Sequence, residues 1–290
     1  MKTIIFTDSC CDLPRSFVEE NNIQVMHLRV NIQGRDIPDD LGISIESKNF
    51  YDLIRQGEMP TTSQVNVNTF EDNFRKYIKE GYSIIYIGFS SALSGCVNSA
   101  RIAKENIEEE ISNADITIID TKSASLGLGL IVYNAVNMLK AGKEKSEIVN
   151  WIEDNKLKVN HWFTVNDLYH LKRGGRLSGT VAAVGTILSI KPVMHIDDEG
   201  RLIPASKVKG RKKSIKVLKE ILVDKIACPE EQTIFISHGD CIEDAEYLKE
   251  LILNEVKVKE VIINNVGPVI GSHTGPGILA LFFIGSNREV

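Results

Sequence analysis

Residues 83–110 read SIIYIGFSSALSGCVNSARIAKENIEEE, and this stretch decides the fold class. The run 83–89 (SIIYIGF) has the length and unbroken apolar character of a buried strand. The loop 90–95 (SSALSG) follows, and residues 96–110 read as a helix. A buried strand, a short loop and a helix in that order make one βα unit.

The unit recurs on both sides. Upstream, residues 3–7 (TIIFT) form a short strand, with Asp12 as N-cap and Pro14 near the first turn of the next helix. Residues 24–32 read as a second strand, and 46–56 and 69–79 as helices, the first ended by Gly57 and Pro60. Downstream come a strand over 115–119, a long apolar helix over 125–141 and a helix over 146–155. Past Lys156 the pattern changes. A strand over 159–165 precedes a short helix over 167–172, ended by Gly174 and Gly175, and a helical stretch over 180–188. Residues 192–196 and 202–208 read as an antiparallel hairpin turning at 197–200. Helices over 213–225 and 242–254 then alternate with strands over 233–237 and 258–264, and a last strand covers 278–284. The expectation is an α/β protein with two domains, 1–157 and 158–290, the first with a mainly parallel sheet and the second with a mixed one.

Composition narrows the function. The chain has 290 residues, 43% hydrophobic and 25% charged, which are ordinary globular values. With 34 Lys and Arg against 39 Asp and Glu the net charge is −5, so nucleic acid is not expected as a partner. The apolar runs 126–132 and 278–284 are too short to span a bilayer, so stable membrane insertion is not expected either. Asp8 interrupts the N-terminal apolar run too early for a signal peptide. Five cysteines without a CxxC pair point to a reducing cytoplasm, and adjacent Cys10 and Cys11 read as packing residues.

Ligands of open α/β sheets settle beyond the carboxyl ends of the strands. Ser90, Ser91, Ser94 and Gly95 lie there, before a helix whose free N–H groups favour an anion; Ser94 as a plain N-cap is the other reading. Thr61, Thr62 and Ser63 form a second hydroxyl cluster, in a loop between helices. A third is 271–277 (GSHTGPG), where glycines and a proline around His273 suggest a fixed loop that brings an imidazole close to something. No GxSxG or P-loop occurs, and Gly127 and Gly129 lack the third glycine of a dinucleotide fingerprint. Asp8, Asp120, His238 and Asp240 sit at strand ends and define an alternative, a metal-dependent hydrolase or phosphoesterase; capping of neighbouring helices is the reading favoured for them. The basic stretches 171–176 (LKRGGR) and 207–213 suit solvated surface or an acidic or phosphorylated partner.

Taken in order, these segments resemble the DegV family of bacterial fatty-acid-binding proteins. The matching residues are Thr7–Asp8–Ser9 with Asp12 and Leu13, TTSQ at 61–64, SSALSG at 90–95 with Ser99 and Ala100, and Asp120 with Ser125 and Gly127. LKRGGR at 171–176, Lys191 and Pro192 with Gly200, the triplet 238–240 (HGD) and GSHTGPG at 271–277 complete the set. Val65 departs from the proline common after TSQ, and Cys96 and Val97 from a Thr-Tyr pair.

The resemblance implies one long-chain fatty acid, such as palmitate, held in an apolar tunnel between the two domains. Its carboxylate is expected at Thr62, Ser94 and His273, within the wider set Thr61, Ser63 and Gly95. The chain would be a carrier and not an enzyme, needing no cofactor or metal. Its partner would be a separate fatty acid kinase that phosphorylates the carboxyl group, a step of phospholipid synthesis. A sensor whose lipid is regulatory is a further reading. Burying about fourteen methylenes at ~0.8 kcal/mol each supplies roughly 11 kcal/mol before ordering costs, so neutral hydroxyls need only position the head group. Arg173, Arg176, Arg211 and Lys212, beside loop glycines, are expected to serve docking of the kinase.

Overall fold

A computed structural model describes residues 2–166, 168–177 and 190–289. The helical stretch expected over 180–188, and Asp167, lie outside the described residues. Along the chain run β1 (Lys2–Asp8), α1 (Arg15–Glu20), β2 (Gln24–Met26), β3 (Arg29–Ile32), β4 (Arg35–Pro38), α2 (Ser47–Arg55), β5 (Thr61–Ser63) and α3 (Val67–Lys79). They continue with β6 (Tyr82–Gly88), α4 (Cys96–Glu110), β7 (Ile116–Asp120), α5 (Leu126–Lys140) and α6 (Lys145–Asn155). The rest comprises β8 (Val159–Thr164), α7 (Tyr169–Arg173), β9 (Ile190–Ile196), β10 (Leu202–Lys209), α8 (Arg211–Lys225), β11 (Thr233–His238), α9 (Ile242–Leu253), β12 (Glu260–Asn265), α10 (Pro268–Thr274) and β13 (Leu279–Ile284).

Two α/β domains result. A parallel sheet in the order β2-β1-β6-β7 serves the first, and a mixed sheet β10-β9-β8-β13-β11-β12 the second. In α4 the buried residues Val97, Ala100, Ala103 and Ile107 repeat at helical spacing, while Glu108–Glu110 stay exposed. One face therefore packs inward and the other meets water. Residue 157, where a division is expected, lies between α6 and β8.

Helix α5 explains why the two sheets share an apolar interior. Its residues 126–132 (LGLGLIV) are all buried, because the helix packs against β1 and β6 of one sheet and β8, β11 and β13 of the other. Its glycines are the points of closest approach. A side chain at Gly129 would come within 2.6 Å of the Cys11 carbonyl, and one at Gly127 within 2.1 Å of His161 Nε2. The glycine pair is thus a packing device of a central helix.

Four expectations need correction. The strand expected over 24–32 is two strands in different sheets: β2 lies in the parallel sheet, and β3 joins a separate antiparallel sheet β4-β3-β5. The break comes where Leu28 N–H donates to Ser9 Oγ (3.1 Å) and the Leu28 carbonyl accepts from Asp39 N–H (2.8 Å), removing that residue from any ladder. Residues 61–63 are strand β5, with Val30 opposite Thr62, and not a loop between helices. Finally, Gly271 to Thr274 close helix α10, and the glycine-rich turn begins only at Gly275, with φ 74°. Asp12 also differs: it adopts φ 51° at the end of the 3-10 turn Ser9–Cys11 and is not the N-cap of α1, which is Pro14, its side chain reaching Ser125 and Gly267 instead.

Candidate ligand-binding site

The three hydroxyl- and imidazole-bearing segments meet at one cavity of about 350 Å³. Thr62, on β5, is brought there by the ladder with β3. Ser94 comes from the turn before α4, and His273 from the last turn of α10. Thr62 Oγ1 lies 2.8 Å from His273 Nε2, a hydrogen bond between residues 211 positions apart. Ser94 is not the N-cap of α4, a position held by Gly95 without a side-chain bond; its Oγ accepts from Cys96 N–H at 3.3 Å in the turn before the helix and can still donate. Most of the remaining wall is apolar, with Phe89, Leu93, Phe163, Leu202, Ile278 and Phe282.

Gln64 joins two of these segments. Its amide donates to Ser99 Oγ on α4 at 3.0 Å, and a side chain at Gly95 would come within 2.2 Å of its Oε1. Gly95 therefore serves the site by letting β5 dock on the start of α4. Of the residues singled out from sequence, Thr62, Ser63, Ser94 and His273 border the cavity. Thr61 is exposed and outside the lining. Ser90 and Ser91 face elsewhere: Ser90 Oγ donates to the Gly200 carbonyl (2.9 Å), and Ser91 Oγ to Asp120 (2.5 Å).

The head of the site is not neutral. Arg176 borders the cavity, with Nε donating to the Leu93 carbonyl at 3.3 Å and Nη1 to that of Gly174 at 2.5 Å. Arg173 braces the same end through the carbonyls of Ser272 (3.1 Å) and Pro60 (3.3 Å). Burial, then these two guanidinium groups, push the His273 imidazole down to about 4, so it is uncharged at neutral pH. Arg211 is ion-paired with Asp244 at 2.8 Å, leaving Lys212 as the exposed cation of that group. The expectation of four loop cations free for docking is corrected accordingly. From sequence, Arg176 is expected as docking surface, Gln64 and Ser125 stand in motifs without a role of their own, and His161 is not singled out. Only their tertiary neighbours set them apart from ordinary polar residues.

The hydrolase quartet is not assembled. Asp8 is buried and accepts from Tyr86 OH (2.7 Å) and Phe89 N–H (2.9 Å), its carboxyl raised by burial to about 6. Asp120 accepts from Ser91 and pairs with Lys122, Asp240 pairs with Arg55, and His238 Nδ1 accepts from Cys241 N–H. Each is occupied with its own turn or a neighbouring cation. Among the described residues no group of three or more His, Cys, Asp or Glu is arranged to hold a metal ion. No described helix is long and apolar enough to cross a membrane.

Fold and site together define a two-domain α/β protein with an apolar cavity whose one end gathers hydroxyl, imidazole and guanidinium groups. The chain matches the model of the DegV family, described as uncharacterised proteins of that family, over residues 2–286, and it belongs to this family. It is 50% identical over 288 residues to a DegV domain-containing protein of Clostridium perfringens, covering 99% of each chain. Among solved structures it is similar to a fatty acid binding DegV family protein of Streptococcus agalactiae, with TM-score 0.86, 31% identity and coverage of 99% and 100% of the two chains. A DegV family protein of Thermus thermophilus, described for its fatty acid binding, superposes with TM-score 0.89 at 29% identity, covering 98% of this chain and all of that one.

Proposed function

We propose that the protein is a cytoplasmic carrier that binds one long-chain fatty acid in the cavity and presents its carboxyl group to a separate fatty acid kinase. The observation that carries this reading is the convergence of Thr62, Ser94 and His273, from three distant segments, on one end of an apolar cavity. Fatty acid binding by the Streptococcus agalactiae and Thermus thermophilus relatives supports it.

The division of labour follows from magnitudes. Burial of the hydrocarbon supplies roughly 11 kcal/mol for a sixteen-carbon chain, less the ordering costs, whereas one hydrogen bond to a charged group contributes about 1.5–3 kcal/mol. The apolar wall holds the chain, and the polar end sets the position of the carboxylate. Thr62 and Ser94 offer hydroxyl donors. Arg176 adds a positive charge that draws the carboxylate to this end, while its own carbonyl contacts keep it from clamping the ligand through the full guanidinium fork. Carriage asks no bond-making of the protein itself. Phosphorylation of the carboxylate is the partner's step, and the two domains, divided near residue 157, enclose the chain until then.

The test is mass spectrometry of the organic extract of denatured, purified protein, with titration of the delipidated protein by palmitate and oleate. One fatty acid per chain, or stoichiometric uptake, is expected. No co-purifying lipid and no uptake of either acid would refute the proposal.

A further inference from the structure

The mixed sheet ends in two unlike edge strands, β10 and β12. β10 is blunted: its register shifts between Pro204 and Ser206, and the exposed Lys207 and Lys209 stand on it. β12 carries no such protection. Its residues 260–265 (EVIINN) keep an unbroken register with β11, Val261, Ile262 and Ile263 are half-buried, and no described strand pairs with its outer edge. Helix α9 borders this edge. It packs against α8 and β11, while α8 covers β8, β9 and β10, so α9 is the helix nearer β12. Ala245, Leu248 and Ile252 form its buried face, and on one flank Asp244 pairs with Arg211 of α8 at 2.8 Å. The opposite flank carries Ile242, Glu246, Lys249 and Leu253, a single stripe at helical spacing. Ile242 and Leu253 are 49% and 50% exposed, large apolar side chains left in water. The stripe maps onto itself under a two-fold axis. Laid antiparallel on a second copy, Ile242 meets Leu253 and Glu246 meets Lys249, and each pair occurs twice. Within one chain Glu246 and Lys249 make only a loose contact of 3.6 Å.

We propose that β12 and this flank of α9 form a self-complementary surface that pairs two copies of the chain, β12 lying antiparallel to its own copy and extending the mixed sheet across the two-fold axis. With the axis at Ile262, Val261 stands opposite Ile263 of the second copy and Glu260 opposite Asn264, so no like charges face each other. Backbone pairing then satisfies the open edge, and the apolar ends of the stripe leave water. The charge pattern selects a second copy over an unrelated strand, because it is its own complement. None of these residues borders the cavity, so the pairing stands apart from the fatty-acid reading.

The experiment is light scattering on the whole chain across a dilution series at low salt, which reads mass and dissociation constant together. A species of twice the chain mass is expected, and a monomer at every concentration overturns the proposal. Lys249→Glu and Glu246→Lys each set like charges across the axis, and each should raise the dissociation constant roughly tenfold. An equimolar mixture of the two variants restores both opposite-charge pairs and should dimerise as the native protein does. A dimer indifferent to both reversals, or a mixture no tighter than either variant alone, refutes this interface. Val261→Lys puts a charge on the pairing edge and should abolish the dimer; a dimer that survives it also refutes the pairing. Should that variant fail to fold, the reversals on the helix surface decide alone.

Discussion

Ser94 shows how one hydroxyl serves both fold and site. It braces the turn into α4 by accepting from Cys96 N–H, and it borders the cavity, where its hydroxyl can donate to an anion. Replacing it with alanine removes about 1.5–3 kcal/mol of charged hydrogen bonding, well below the burial of a long chain. Ser94→Ala should therefore keep its lipid while kinase turnover on the bound acid falls; unchanged turnover would leave the residue a brace of the turn alone. Asp12 makes a second argument at this scale. It is 3% exposed, accepts from Ser125 Oγ and Gly267 N–H, and burial raises its carboxyl to about 7. The sign follows from linkage. Between the unfolded value near 3.8 and the folded value near 7 the native state holds a proton that the unfolded chain has released, so this group favours folding increasingly as the pH falls through that window. Asp12→Asn should flatten that rise, read as melting temperature from pH 8 to pH 5. An unaltered pH profile in the variant would mean that Asp12 is ionised throughout. Sequence reading made Asp12 a helix cap, since nothing local told it that Gly267 lies beside it.

At the level of elements, the C-terminal segment is a clasp built on one side chain. Arg288 is 3% exposed and donates to the carbonyls of Lys122, Lys156, Val159 and Asp197 and to Ser123 Oγ, at 2.6–3.2 Å. It ties the loop before α5, the link between α6 and β8, and the β9–β10 turn to the end of the chain. A buried cation held by carbonyls leaves several unpaired acceptors when removed. Arg288→Gln should cost about 2–4 kcal/mol in urea unfolding, and a change below about 0.5 kcal/mol would show the contacts to be dispensable. The elements themselves were legible where a continuous apolar run or helical spacing marked them, as in β6, α4 and the β9–β10 hairpin. The three-residue strand β5 was not, because a Thr-Thr-Ser triplet acquires its conformation from pairing with β3. Helix α10 was hidden by its glycines and proline, which read locally as a turn. Its start is held by Asp12 and Asp39, whose carboxylates accept from Gly267 and Val269 N–H.

Across the whole molecule, α5 and one buried apolar cluster join the two domains. That cluster runs from Ile4 and Phe6 through Val132 to Phe163, Met194 and Phe282. Unfolding should consequently be a single cooperative transition, with far- and near-ultraviolet signals coincident in urea; two separated transitions would show the domains to be energetically independent. Fatty acid should raise that transition by mass action, about 2.7 kcal/mol at a free concentration one hundred times the dissociation constant. Delipidated protein whose midpoint ignores saturating palmitate and oleate would speak against a ligand in the shared interior.

The sequence by itself determined the α/β class, the alternation of strands and helices, the change of pattern after Lys156 and the three segments from which Thr62, Ser94 and His273 come. These are local properties: periodicity, turn residues and short motifs are written within a few positions of where they act. Only the tertiary structure decided that Thr62 would bond His273, that Arg176 would border the cavity, that Asp8, Asp120, His238 and Asp240 would each be occupied apart, and that His161 would be buried with its Nε2 against Gly127. Such outcomes depend on which distant surfaces are pressed together. A polar side chain's partners, and with them its charge state, are set by burial against residues far away in the chain, 211 positions in the case of Thr62 and His273.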